Sequence, residues 1–281
     1  MGYSMAELLI SLIGCMGLFY LLFILPTQWL KVEHVDVPLG IDKKILQLSD
    51  LHIERNRIHP EKIKELLHKE KPDYVFITGD FTAREKYILS IKPYLAVFNE
   101  YGIEVYAVFG NHDYRTFKLS LRLRSWLEEN KVKVLVNESI ELPDFTLIGL
   151  DFYREDELGL TKAFSKVRSD KPRIVLCHDP NDIAEVTDPF DLMLSGHLHG
   201  KQFNVPFFFT FISKGELARR GIYQGFHEVR GSYLYISKGI GQAHWNYRFG
   251  VRSEVTVLTL NGNNENKIRQ NRRNNVCGCS Y

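Results

Sequence analysis

Short apolar runs, each closing on a polar residue, recur along this chain and set its expected architecture. Lys44–His52 (KILQLSDLH), Asp73–Asp80 (DYVFITGD), Glu104–Asp113 (EVYAVFGNHD), Arg173–His178 (RIVLCH) and Phe190–Gly200 (FDLMLSGHLHG) share one grammar. Four to six apolar residues bounded by turn formers predict a buried strand, and the polar side chains gather at its carboxyl end. Between these runs, apolar residues fall at helical spacing. Pro60 opens a helix carrying Ile63, Leu66 and Leu67, Ile88–Asn99 forms a second, and Thr116 caps a third running to Asn130 with Leu119, Leu123, Trp126 and Leu127 inward. Val32–Ile41, Val132–Val136, Phe145–Leu150, Ser232–Ser237 and Glu254–Leu260 read as further strands, and Leu160–Val167 as a short helix. Strands alternating with helices predict an α/β fold, whose ligands bind at the carboxyl ends of strands.

The amino terminus does not fit this pattern. Leu8–Leu25 is 18 residues without a charge, followed by Trp29 as an interfacial anchor. That length suits a membrane-spanning helix. A cleaved signal peptide would need a basic leader and a small-residue cleavage site, and the leader MGYSMAE and the end Leu25-Pro26-Thr27-Gln28 supply neither. The expected organisation is a single-pass anchor over 5–29, a globular domain over 32–260 and a flexible polar tail over 261–281. Lys31 is the only basic residue nearby, so charge does not orient the anchor.

Composition adds exclusions. A hydrophobic fraction of 44% and a charged fraction of 25% are ordinary for a globular protein. The net charge of +2 is supplied by a tail in which Lys267, Arg269, Arg272 and Arg273 face only Glu265. With no basic excess elsewhere, a nucleic-acid partner is disfavoured. Four cysteines make no disulfide framework, and Cys277 with Cys279 is not a complete zinc site.

Collected in order, the strand ends offer Asp50, His52, Asp80, Asn111, His112, Asp113, His178, His197 and His199, five of the chain's ten histidines among them. Asp50 and His52, two apart in an extended segment, would face the same way. Mixed oxygen and nitrogen donors suit Mn, Fe or Zn better than Ca or Mg.

The order D-x-H, G-D, G-N-H-D, a lone His and G-H-x-H resembles the calcineurin-like metallophosphoesterase superfamily over Lys44–Leu260. More narrowly, it is similar to a bacterial membrane-associated branch that includes phosphodiesterases like the YkuE and YaeI proteins. Two departures stand out: Lys201 where that branch has a glycine, and His244-Trp245-Asn246-Tyr247-Arg248 in place of its Leu-Pro-x-Arg.

The resemblance implies a four-layer α-β-β-α sandwich and two divalent metal ions. Asp80 would bridge them, with Asp50, His52 and His199 completing one site and Asn111, His178 and His197 the other. A metal-bridging hydroxide would attack phosphorus. His112 would stabilise or protonate the leaving group, kept off the metals and oriented by Asp113. Arg84, Lys201 and Arg248 are candidates for contacting phosphate, and His227 and His244 for lining the cleft. The expected activity is hydrolysis of phosphodiester or pyrophosphate-type bonds, with lipid-linked or envelope-related substrates and an extracytoplasmic domain. A catalytically silent metal-binding scaffold or sensor at the membrane is the alternative class.

Overall fold

The computed structural model describes residues 3–153, 156–206 and 214–261. The apolar run Phe207–Ile212 and the tail with Cys277 and Cys279 lie outside them.

Two six-stranded sheets form the centre. In chain order, the first is built from β1 (Lys31–Asp36), β2 (Lys44–Leu48), β3 (Tyr74–Thr78), β4 (Glu104–Val108), β5 (Val132–Val134) and β12 (Glu254–Thr259), arranged β1-β12-β2-β3-β4-β5. The second is built from β6 (Glu138–Glu141), β7 (Thr146–Gly149), β8 (Arg173–Leu176), β9 (Leu192–Ser195), β10 (Gly225–Val229) and β11 (Ser232–Ile236), arranged β10-β11-β9-β8-β7-β6. β2 through β5 run parallel, as do β7, β8, β9 and β11. The strands carrying candidate ligands therefore all end on one rim.

Alternation along each strand explains the layering. In β3, Tyr74 and Phe76 face the second sheet and pack with Phe145, Leu147, Ile174 and Leu194. Val75 and Ile77 face outward, against α2 (Pro60–Glu70), α3 (Lys92–Glu100) and α4 (Phe117–Glu129) through Leu67, Phe98 and Leu123. The second sheet's outer face carries Val175, Met193 and Leu234, covered by Ala163 and Phe164 of α5 (Asp156–Phe164) and by Leu217 and Ala218 of the short α6 (Glu216–Arg219). A strand buried on both faces must be apolar throughout, which is why these segments read as continuous runs. The result is a four-layer α-β-β-α sandwich.

Several sequence boundaries contract. β1 ends at Asp36 rather than Ile41, and the segment before α3 is a 3₁₀ helix (Glu85–Ile91) rather than part of it. β6 and β10 were not foreseen. Both are outer strands with exposed or half-buried residues, and their polar composition hides them.

The amino-terminal helix α1 runs from Met5 to Gln28 and is the one element among the described residues long and apolar enough to cross a membrane, with mean hydropathy 2.6. A Ser4–Glu7 capping box starts it. Tyr20–Ile24 takes π-helical geometry just ahead of Pro26, which has no N–H to give the helical ladder. Its last turns belong to the globular part. Thr27 is fully buried, and the Phe23 and Pro26 carbonyls accept from the backbone N–H of Arg248 and Ser253 at 3.0 Å each. Phe23 stacks on Phe249 and Phe19 packs edge-on to Tyr247.

Candidate metal centre

The loops leaving β2, β3, β4, β8 and β9 place the predicted polar residues together on the common rim. Three overlapping groups have ligand atoms within 4.8 Å of one another: Asp50, His52 and His199; His52, Asp80 and His112; and Asp50, Asp80 and His178. His197 joins through its Nδ1, 3.1 Å from His178 Nε2. Asn111 lies beside His112, and its Oδ1 is buried without a hydrogen-bond partner.

Convergence is achieved differently from the expected extended spacing. Asp50, His52, Asp80, His197 and His199 all have positive φ, between 37° and 67°. Each sits in a left-handed turn immediately after its strand, and that turn, not an alternating strand face, aims Asp50 and His52 at one place. Small neighbours make room: a Cβ at Gly110 would lie 2.3 Å from Asp80 Oδ1, and one at Gly196 only 1.9 Å from Ser49 Oγ.

Asp80 is the centre of the cluster. Its Oδ2 lies 3.3 Å from both His52 Nε2 and His178 Nε2, so one carboxylate oxygen stands between imidazoles from the two sheets. The contact with His52 lacks hydrogen-bond geometry, and both ring nitrogens of His52 are buried without a hydrogen-bond partner. His199 Nε2 lies 3.2 Å from Asp50 Oδ1, and its Nδ1 is likewise unpartnered. His178 Nδ1 donates to the Thr78 carbonyl at 2.8 Å, which fixes the tautomer and leaves Nε2 facing the cluster. Buried polar atoms are ordinarily satisfied, so the orphaned His52 Nε2 beside Asp80 and the orphaned Asn111 Oδ1 fit a centre that holds cations. The donor set, carboxylates with imidazoles and one amide, fits the same class.

The electrostatics agree. Burial alone would raise the Asp80 carboxyl, but the His178 and His52 imidazoles hold it well below the usual range. Asp50, fully buried and close to the Asp80 charge, is raised despite His178. Burial works against a charged His178, yet Asp80 and Asp50 lift it to about 10. Burial pushes His112 down to about 4 and His197 down to about 3, the latter helped by His178. Burial and the nearby His52 also depress His199.

Two assignments need correction. Asp113 does not orient His112. Its carboxylate accepts from the backbone N–H of Asp80 and Phe81 at 2.8 Å, Gly110 at 2.9 Å and Thr82 at 3.1 Å, tying the β3 and β4 loops together. Burial, with the Asp80 charge, pushes that carboxyl up to about 7 against the pull of these amides. His112 Nδ1 is left without a hydrogen-bond partner. Arg248 does not face substrate either. It is completely buried, and its guanidinium donates to the carbonyls of Lys238, Gly239, Gly241 and Arg252.

The remaining candidates separate. Lys201 borders the cluster, with its ammonium 4.6 Å from the centre of the Tyr223 ring. Arg84 is exposed ahead of the 3₁₀ helix. His244 reaches the site, its ring 5.8 Å from that of His112, whereas His227 lies in β10 bonded to the Gln224 carbonyl. Sequence reasoning missed Phe152, which packs against His178 and His197. No motif marks that residue.

Residues 43–201 match the model of the calcineurin-like phosphoesterase family. The chain is 36% identical over 222 residues to the metallophosphoesterase YkoQ of Bacillus subtilis, covering 75% of this chain and 81% of that one. This protein belongs to the calcineurin-like phosphoesterase family. It is also 27% identical to the metallophosphoesterase YkuE of Bacillus subtilis, over 81% of this chain and 82% of the relative. The UDP-2,3-diacylglucosamine pyrophosphatase LpxG of Chlamydia muridarum is 28% identical, over 70% and 78% respectively. The chain is thus a metal-dependent phosphoester hydrolase by family, and the clustered donors are those such chemistry requires.

Proposed function

We propose that this protein is a membrane-anchored, dinuclear phosphoesterase that cleaves phosphodiester or pyrophosphate-type bonds. The observation that carries the proposal is Asp80 Oδ2, equidistant from His52 and His178, which supports reading Asp80 as a ligand shared between two ions. Asp50, His52 and His199 would hold one ion, and Asn111, His178 and His197 the other. Two divalent cations bound there would polarise the phosphate and supply hydroxide near neutral pH.

The chain's own residues do the rest. Thr78 keeps His178 in the ligating tautomer, and Ser49 donates to Asp50 Oδ2 at 2.6 Å, setting that carboxylate's orientation. His112, with a pKa near 4, is neutral at pH 7. It therefore serves the leaving oxygen as a neutral hydrogen-bond donor, and the leaving group's proton comes ultimately from solvent. The α1 helix would hold the site at the bilayer, extracytoplasmic by resemblance to the branch. LpxG's name describes action on a diacylated sugar nucleotide, which accords with a lipid-linked substrate here.

The test is turnover of bis-p-nitrophenyl phosphate and p-nitrophenyl phosphate by the full chain with Mn²⁺, Fe²⁺ or Zn²⁺. Metal-dependent cleavage of the diester is expected. No turnover with any metal would sink the enzymatic reading in favour of a metal-binding scaffold, and cleavage of the monoester alone would overturn the diester preference.

A further inference from the structure

Two cavities meet at His197 and Lys214, and their linings differ in character. One, of about 580 Å³, runs from His197 and His199 between Phe203, Val205 and Trp245, with Lys201 and Lys214 also in its wall. The other, of about 610 Å³, carries Lys214, Arg220 and Arg230 with Asp179 and Glu216. Both volumes suit a bound small molecule.

The first cavity's exposed surface is mostly apolar despite the two lysines in its wall. Gln202 lies in its wall, yet its amide nitrogen donates to the carbonyls of Ala243, Trp245 and Tyr247, and its oxygen accepts from Ala243 N–H. That side chain is used up in holding the wall. Phe203 and Trp245 meet edge-on across it at 5.7 Å.

The position of the wall says what would occupy the cavity. Residues 242–249 are the segment bonded and stacked onto the last turns of α1 through Phe23 and Phe19. Trp245 is 67% exposed on this segment. Trp29, 56% exposed at the foot of the helix, lies under the Arg252 guanidinium. Exposed tryptophans with a neighbouring cation at a helix end mark the membrane–water interface. With the helix across a bilayer, the cavity would open beside the headgroup level, within reach of an alkyl chain.

We infer that the apolar cavity holds the alkyl chain of a bilayer-borne phosphoester, while the substituent across the phosphate lies in the cationic cavity beyond His197. This assignment rests on the phosphoesterase reading and names its substrate class: an amphiphile with one long chain and one polar, anionic arm.

The experiment uses the full chain in phosphatidylcholine nanodiscs with Mn²⁺ and a series of p-nitrophenyl alkyl phosphodiesters from methyl to dodecyl. Each burial of a methylene should raise kcat/KM by roughly two- to fourfold until the cavity is filled. Partition into the disc contributes equally to all protein variants, so the readout is the chain-length slope relative to that of Val205→Glu, each normalised to its own methyl ester. A flattened slope in Val205→Glu, and in the cavity-filling Val205→Trp, is expected. Equal slopes in all three proteins would overturn the assignment. If no ester is turned over, the phosphoesterase reading fails and the cavity is judged by binding. Dodecyl phosphate, but not methyl phosphate, should then change the emission of Trp245, assigned by difference from Trp245→Phe. No chain-dependent change would refute the cavity's role.

Discussion

Left-handed backbone at Asp50, His52, Asp80, His197 and His199 costs on the order of 1–2 kcal/mol for each non-glycine residue. The protein accepts this cost at the positions where ligand atoms converge, and braces the turns with bonds from their neighbours. Asp113 is the principal brace, joining two of the ligand loops through four amides. Replacing it by Ala should lower the unfolding free energy by roughly 3–5 kcal/mol, because four buried N–H groups lose their acceptor; a urea titration measures this. His112→Ala should behave in the opposite way, with little change in stability or metal content but a fall in kcat on the order of 10²–10⁴. Elemental analysis alongside the rate decides it, since loss of metal would make His112 a ligand. Arg248→Met should cost about 2–4 kcal/mol by stripping carbonyls of their buried donor, again read from a denaturation midpoint. At this scale the sequence disclosed which residues gather but not what each touches. A carboxylate beside a histidine suggests a pair. Whether it turns to the imidazole or to backbone amides depends on loop conformation, and no periodicity encodes that.

Among the elements, the buried strands were the legible ones, because a strand covered on both faces must be apolar along its whole length. β6 and β10 escaped notice for the converse reason: at the sheet margins, residues such as Glu138, Glu141 and Glu228 are tolerated. The junction of α1 with the domain was equally hidden, since the apolar run reads only as membrane-seeking. In the structure its final turns also fill a docking surface, with Thr27 buried and two carbonyls occupied by loop amides. A chain beginning at Lys31 should therefore melt roughly 5–10 °C below one beginning at Phe19, although both lack most of the span. Differential scanning calorimetry of the two in detergent makes the comparison; equal melting temperatures would mean that the helix is not part of the fold.

For the whole molecule, the sandwich places charge at the seam between its sheets, and stability should follow pH accordingly. His178 is raised from 6.5 to about 10 in the metal-free protein, so the stability it contributes is complete below pH 6.5 and is lost as pH rises toward 10. A bound cation requires the neutral imidazole, so metal stabilisation runs the other way and grows across the same window. The melting temperature of chelator-treated protein should fall between about pH 6.5 and pH 9, while the increment on adding Mn²⁺ widens. A constant increment would show that His178 carries no proton in the metal-free state.

The join between helix and loop has a geometric corollary. Only Trp29 and Leu30 separate Gln28 from β1, and residues 242–249 tie the same helix end to the turn holding His197 and His199 through Gln202. There is no swinging tether here. With α1 across a bilayer, the centre rides at one fixed height above it, like the stylus of a depth gauge. Its substrates would then be selected by how far their phosphorus stands from the lipid surface, before any contact with the polar arm is made.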